Sequence, residues 1–251
     1  MSDIYKEFAD IYTTGPYMNY STKMANFFPY LLEDLNIKGK NILDIACGNG
    51  NFLIQIHNYG FYGCGIDLSE KFINHAKKIA NKNNLNIEFH LKDIVNFSFE
   101  KKFDIATCWF DSLNYILEKE NLLKVFKNTY DSLKKNGHFI FDMNTIYGFA
   151  NVWTDNDGLI QQNTDKTFEV HFSDYDFEKN LASLEVVFFK KTKSGTWKKY
   201  TETHFEKGYK EEVIDLLLKE SGFKKIQKFS KLNPLIEYES NSPRIYYMCK
   251  K

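Results

Sequence analysis

Arginine is almost missing from this chain: among 251 residues Arg244 is the only one, and every other fixed cation is a lysine. Bidentate guanidinium clamps on phosphate or carboxylate are therefore scarce, which weighs against a highly phosphorylated or nucleic-acid substrate. Net charge is missing as well. Lys plus Arg number 33 and so do Asp plus Glu, so there is no basic footprint for a polyanion. The four cysteines, Cys47, Cys64, Cys108 and Cys249, lack metal-ligand or disulfide spacing. They read as reduced, buried small residues of a cytoplasmic protein. No apolar run approaches the roughly 20 residues of a membrane span. The opening Met-Ser-Asp-Ile-Tyr-Lys-Glu lacks the charged-then-apolar pattern of a secretion signal.

Aromatic residues are what the chain has in quantity, 23 Phe and 16 Tyr. Most must lie in a core, since large rings carry much of a domain's burial energy. The length suits one large α/β domain with an embellishment. The decisive stretch is 41–53. An apolar strand, Ile42-Leu43-Asp44-Ile45, breaks at Ala46-Cys47-Gly48-Asn49-Gly50 and resumes as a helix at Phe52-Leu53-Ile54. Strand, glycine turn and helix in that order open a nucleotide-binding βαβ unit. Glycines let a ligand approach the backbone, and the helix N-terminus offers free N–H groups. A dinucleotide turn wants a third glycine where Leu53 stands, so an acid within the strand followed by Ala-Cys-Gly-x-Gly is the better description.

Alternation of strands and helices continues. A strand at 62–67 ends in Asp67, placed to accept both hydroxyls of a ribose; Ser69 caps the helix after it. A strand at 87–91 is followed by Asp93 and Ile94, placed for an adenine amino group and ring nitrogen. A strand at 103–110 leads into Asp111-Ser112-Leu113-Asn114-Tyr115. Ligands in such sheets bind beyond the carboxyl ends of the strands, so chemistry belongs at 109–115. A helix over about 118–135 ends at Gly137, and a fifth strand covers 138–142. Residues 160–207 then show three or four strand-like runs with no helix between them, an antiparallel insert. A helix at 209–220 and strands at 224–232 and 244–250 close the chain. At the front, 1–19 reads as an irregular, tyrosine-rich arm, with Tyr5 or Tyr12 as lid residues. A helix starts at Ser21 or Thr22.

Together, 41–53, Gly65-Ile-Asp-Leu-Ser69, Lys92-Asp-Ile94, 104–115 and 137–144 resemble the successive motifs of the class I S-adenosyl-L-methionine (SAM) dependent methyltransferases. Within that superfamily the chain is similar to the small-molecule group that includes the aminosugar N,N-dimethyltransferases. It shares the arm Phe8-Ala-Asp-Ile-Tyr12, the second tyrosine Tyr20 and the insert. It departs at Thr13, where the arm commonly has Asp, and at Tyr115, where some members carry histidine. The resemblance implies a seven-stranded, mostly parallel, doubly wound (Rossmann-like) sheet with the antiparallel insert after strand five. The implied division is 1–145 as arm and SAM-binding core, 146–208 as insert, and 209–251 completing the sheet. The insert is an edge extension of the sheet, a substrate cover or a homodimer surface; the cover is the reading taken, because the insert leaves the sheet at its ligand-binding end.

The implied donor contacts are Ala46, Gly48 and Gly50 for the methionine part, Asp67 and Leu68 for ribose, Asp93 and Ile94 for adenine. Tyr12 and Tyr20 would close over the donor, and Asp44 and Trp109 join the set at the ends of the first and fourth strands. Methyl transfer from a sulfonium is an in-line displacement that mainly needs alignment and exclusion of water. Tyr12, Asp111, Asn114 and Tyr115 are the candidates for positioning or proton acceptance. His171 and His204, isolated on strands of the insert, are set aside. The expected partner is a small-molecule acceptor methylated at N or O, with neither nucleic acid nor membrane. A tRNA or protein methyltransferase and a SAM-binding module without turnover are the alternatives.

Overall fold

The computed structural model describes residues 5–154 and 158–251; positions 1–4 of the expected arm and 155–157 of the expected insert lie outside the described residues. The arm holds α1 (Phe8–Thr14), followed by α2 (Met18–Asp34). The core then runs β1 (Asn41–Ile45), α3 (Asn51–Ile56), β2 (Tyr62–Asp67), α4 (Glu70–Lys82), β3 (Ile87–Leu91), β4 (Phe103–Cys108), α5 (Lys119–Ser132) and β5 (Leu133–Asn144). A short turn of helix, α6 (Ile146–Gly148), leads into β6 (Leu159–Asn163), β7 (Thr167–Asp176), β8 (Leu181–Lys191) and β9 (Trp197–Lys207). The chain ends with α7 (Glu211–Glu220), β10 (Lys225–Leu232), β11 (Leu235–Glu237) and β12 (Arg244–Lys250).

Eight strands form the main sheet in the order β11-β10-β12-β5-β4-β1-β2-β3. The first five strands pair in parallel, and β12 lies antiparallel between β5 and β10. The expected seven strands are present; the eighth is the three-residue β11, a hairpin return on β10 too short to show a period. Both faces of the sheet are covered, which is why its strands read as apolar runs. Leu43, Ile45, Phe139 and Phe141 pack with Phe126 of α5 and Leu218 of α7. On the other face Ile42 and Ile140 pack with Phe28 of α2, Phe52 and Leu53 of α3 and Ala76 of α4. The order of connection reverses between β1 and β4, and the crevice beyond their carboxyl ends is the expected ligand position.

Three local expectations change. The arm is not irregular, because Phe8 and Ile11, one helical turn apart, bury against Val186 and Phe188. Helix α2 starts at Met18, not at Ser21 or Thr22. Those two hydroxyls instead accept from the Asn51 amide at 2.7 and 3.0 Å, tying α2 to the start of α3. Helix α5 stops at Ser132, and Leu133 already pairs with Phe103, so β5 begins five residues before the strand expected at His138. Among the described residues no helix is long and apolar enough to cross a membrane.

The insert is a separate antiparallel sheet, β6-β7-β8-β9, and not an extension of the main one. The arm lies between it and the core. Rings of Tyr5 and Tyr12 sit 5.2 and 5.3 Å from that of Phe72 in α4. On the other side the Glu202 carboxylate of β9 accepts the backbone N–H groups of Tyr5, Glu7 and Phe8, each at 2.8 Å. Glu7 and Phe8 open α1, where such N–H groups have no partner within the helix, and Tyr5 precedes it. Glu202→Ala is therefore expected to lower amide protection in residues 5–14 by about 10- to 100-fold in hydrogen exchange. Protection in β1 and β4 should stay as it was; an unchanged arm would show that this carboxylate is not its anchor.

Candidate functional site

The turn after β1 is built from residues that take left-handed backbone: Ala46 at φ 55°, Gly48 at 54° and Gly50 at 77°. Asp67, at the tip of the neighbouring β2, holds it in place. One carboxylate oxygen accepts Gly48 N–H at 2.8 Å and the other accepts Ser69 N–H at 2.8 Å. A side chain on Gly48 would meet nothing within 4 Å, whereas one on Gly50 would come within 2.6 Å of the Phe89 ring and 2.9 Å of Ala76. The first glycine faces open space; the second faces protein.

That space is a cavity of about 390 Å³. Its walls include Tyr12, Tyr20, Asp44, Ala46, Gly48, Asp67, Leu68, Asp93, Ile94 and Trp109, drawn from four strand ends, the arm and α2. Gly50, expected among them, does not line it, because it packs against Phe89 and Ala76. The Thr107 hydroxyl donates to Asp44 at 2.7 Å. The indole N–H of Trp109 is buried with no hydrogen-bond partner among the described residues, an unusual state for a buried donor.

Beyond β4 the chain makes two successive left-handed residues without glycine, Phe110 at φ 60° and Asp111 at 52°. Their N–H groups both donate to the buried Asp142 carboxylate, at 2.7 and 3.1 Å. Arg244 of β12 pairs with the same carboxylate and lies 3.5 Å from Asp111. The guanidinium also sits over the rings of Tyr20 and Phe110, which stack at 4.8 Å.

Asn114 is not free to act on a ligand, contrary to the sequence reading. It is fully buried, donates to the carbonyls of Asn144 and Lys207 at 3.1 and 2.9 Å, and accepts Asn144 N–H at 2.9 Å. It clips β5 to β9. Asp111 faces a second cavity, of about 510 Å³, and not the first. Tyr5, Tyr12, Tyr20, Phe110 and Tyr115 line both, so the two spaces share an aromatic wall.

The insert supplies the far side, through residues the sequence reading missed or set aside. Thr203 and Phe205 of β9 line the first cavity, while His204 and Glu206 line the second, as strand alternation dictates. The Tyr115 hydroxyl lies 3.2 Å from His204 Nδ1 and 3.2 Å from the Tyr5 hydroxyl. His171 and Tyr17 share the buried Glu169 carboxylate, and both line the second cavity. The available signal was Glu202, His204 and Glu206, three ionisable residues two apart on one face of a strand.

Residues 42–137 match the family described as a methyltransferase domain. A crystal structure of a S-adenosylmethionine-dependent methyltransferase from Clostridium acetobutylicum has a TM-score of 0.83 and 29% identity, covering 98% of this chain and 98% of that one. A protein of Geobacillus sp., named as a methyltransferase by inference, is 27% identical over 84% of this chain and 85% of its own length. The sugar N-methyltransferase KedS8 of Streptoalloteichus sp. shares the fold at TM-score 0.74 and 15% identity, covering 100% of this chain and 94% of that one.

Burial sets the electrostatics of both cavities. It pushes Asp44 up to about 7, although the Thr107 hydrogen bond works the other way, and raises Asp67 against the pull of its backbone donors. It lowers His204 to about 4, with His171 adding to the effect. Folded Asp44 keeps its proton to about pH 7 while the unfolded carboxyl releases it near 3.8. The folded state therefore binds more protons between those values, and the ligand-free fold loses stability as pH rises through that window. Asp44→Asn retains an acceptor for Thr107 and removes this loss. Its melting temperature should exceed the parent's by about 2–8 °C at pH 8, for a gain of roughly 1–2 kcal/mol. The difference should shrink close to zero at about pH 3.5, where the folded carboxyl is protonated and the unfolded one mostly so; an equal melting point at pH 8 would refute it.

Proposed function

We propose that the chain is an S-adenosylmethionine-dependent methyltransferase whose first cavity holds the methyl donor and whose second holds a small-molecule acceptor, methylated at N or O. The observation that carries this reading is the shared wall: a donor seated on the glycine turn has its neighbour across Tyr12, Tyr20 and Tyr115. Both volumes fall within the range of small-molecule sites. In this reading residues 1–145 with 209–251 form the donor-binding core, and 146–208 roof the acceptor.

The residues present fit the donor. Each oxygen of Asp67 already accepts one backbone N–H, and each keeps a lone pair for a ribose hydroxyl. Gly48 leaves its Cβ direction empty beside it. Asp93 and Ile94 stand at the adenine side, and Trp109, whose buried N–H has no partner among the described residues, lines the cavity beside them. Bound there, the donor supplies a methyl group on a sulfonium and a thioether leaving group. The protein's part is alignment and dryness. Tyr5 and Tyr12, on an arm held down by Glu202, close the cavity from above. Tyr115, hydrogen-bonded to Tyr5 and His204, stands at the boundary where acceptor and methyl group would meet. Asp111 belongs to the acceptor side.

The experiment that tests the function is formation of S-adenosylhomocysteine from SAM when the protein is supplied with fractions of a metabolite extract; no fraction supporting turnover would leave a binding module. Two sets of variants test the residues. Asp67→Ala should weaken SAM binding at least about 100-fold in calorimetry, since it removes a carboxylate that hydrogen-bonds the ligand and organises the turn; unchanged affinity would remove the ribose assignment. Gly48→Ala should cost about 10-fold or more in SAM affinity but only about 2–4 °C in melting temperature, the strain of one left-handed residue. Gly50→Ala should do the reverse, because its methyl group would strike Phe89. Opposite results for the pair would place the donor elsewhere.

A further inference from the structure

Resting on that reading of the second cavity, we propose that the acceptor is a positively charged amine, received jointly by Asp111 of the core and Glu206 of the insert. Three carboxyl groups, Asp111, Asp142 and Glu206, gather around the one arginine of the chain. Asp142 is fully committed: it accepts two backbone N–H groups and takes the Arg244 guanidinium. Arg244 reaches Asp111 only at 3.5 Å. Asp111 and Glu206 are left to share the Asn144 amide, at 2.6 and 3.3 Å, and an amide brings no charge.

Both carboxyls are more than nine-tenths buried and both line the second cavity. Burial raises each, and each raises the other or is raised by a neighbouring carboxyl, as expected where like charges cannot all ionise. Arg244 pulls both back down only in part, its close pairing being with Asp142, and Lys23 on the cavity wall sits at an exposed position. His204 is neutral at physiological pH. A ligand cation completes the set. A phosphate would be repelled.

A second feature, independent of the carboxyls, points to a ligand here. His204 lines this cavity with 2% of its surface exposed. Its Nδ1 faces Tyr115, but its Nε2 is buried with no hydrogen-bond partner among the described residues. The Glu202 carboxylate stands 3.8 Å from Nε2, beyond hydrogen-bond reach, which leaves this ring nitrogen for a polar atom of a ligand.

The chemistry balances. The ammonium docks on the ionised member of the pair, and one N–H proton passes to that oxygen, leaving a lone pair on nitrogen. The lone pair forms the N–C bond as the C–S electron pair returns to sulfur, so the positive charge moves from sulfur to nitrogen. A proton from the pair is released to water as the methylated product leaves.

Cyclohexylamine and cyclohexanol, similar in shape and different in charge, make the test. The intact protein, saturated with S-adenosylhomocysteine, is titrated with each at neutral pH. The amine should bind at least about 10-fold more tightly than the alcohol, the worth of a hydrogen bond to a charged group. Glu206→Gln and Asp111→Asn should each lose about 10- to 100-fold in amine affinity, while S-adenosylhomocysteine affinity stays within about two-fold and certifies the fold. Equal binding of amine and alcohol, or variants that bind the amine like the parent, would overturn the proposal. If S-adenosylhomocysteine itself fails to bind the parent protein, the donor reading is what fails, and this inference falls with it.

Discussion

One buried carboxylate organises the region where the two cavities meet. Asp142, at the end of β5, takes the N–H groups of two successive left-handed residues and the guanidinium of Arg244. Phe110 and Asp111 have no glycine to ease that backbone, which costs roughly 1–2 kcal/mol for each residue. Two hydrogen bonds to a carboxylate offset a cost of this size. The turn aims Phe110 at the ring of Tyr20 and sends Asp111 to the second cavity. It also explains where the chain's single arginine is used: inside, as the partner of a carboxylate and the platform under two aromatic rings, and not on the surface as a binding patch.

Around this point distant parts of the chain converge. The core contributes the ends of β1, β2, β3 and β4, the arm contributes Tyr5 and Tyr12, α2 contributes Tyr20, and β9 contributes residues to both cavities. Because neighbours on a strand point to opposite faces, β9 places Thr203 and Phe205 toward one space and His204 and Glu206 toward the other. Glu202 on the same strand fastens the arm. One strand thus carries both the anchor of the arm and residues of both cavities.

The site is also where the fold is least content. Asp44, Asp67, Asp111 and Glu206 are carboxyls that burial drives upward, and Trp109 and His204 each keep a buried nitrogen without a partner. Such groups lower the stability of the ligand-free protein. Ligands that satisfy them recover that free energy as affinity, the usual exchange of stability for function at a binding site.

Much of this was legible in the sequence. Asp44, Gly48, Asp67 and Asp93 could be named because each lies within a few residues of a strand end, and a parallel sheet brings strand ends to one edge whatever the loops do. Alternating apolar runs likewise specify strands, and the antiparallel character of the insert followed from three such runs without a helix. What could not be read was anything that depends on where a strand face or side chain ends up. Gly48 and Gly50 look alike in sequence, yet one opens on a cavity and the other on Phe89. Asn114 and Asp111 lie three apart, but one is consumed as a clip between β5 and β9 and the other lines the second cavity. Glu206 belongs to the site only because the insert folds back across the core. Local pattern determines which segments become strands and which turns stay open; long-range packing decides which polar groups are left partly unsatisfied, and those are the ones that meet a ligand.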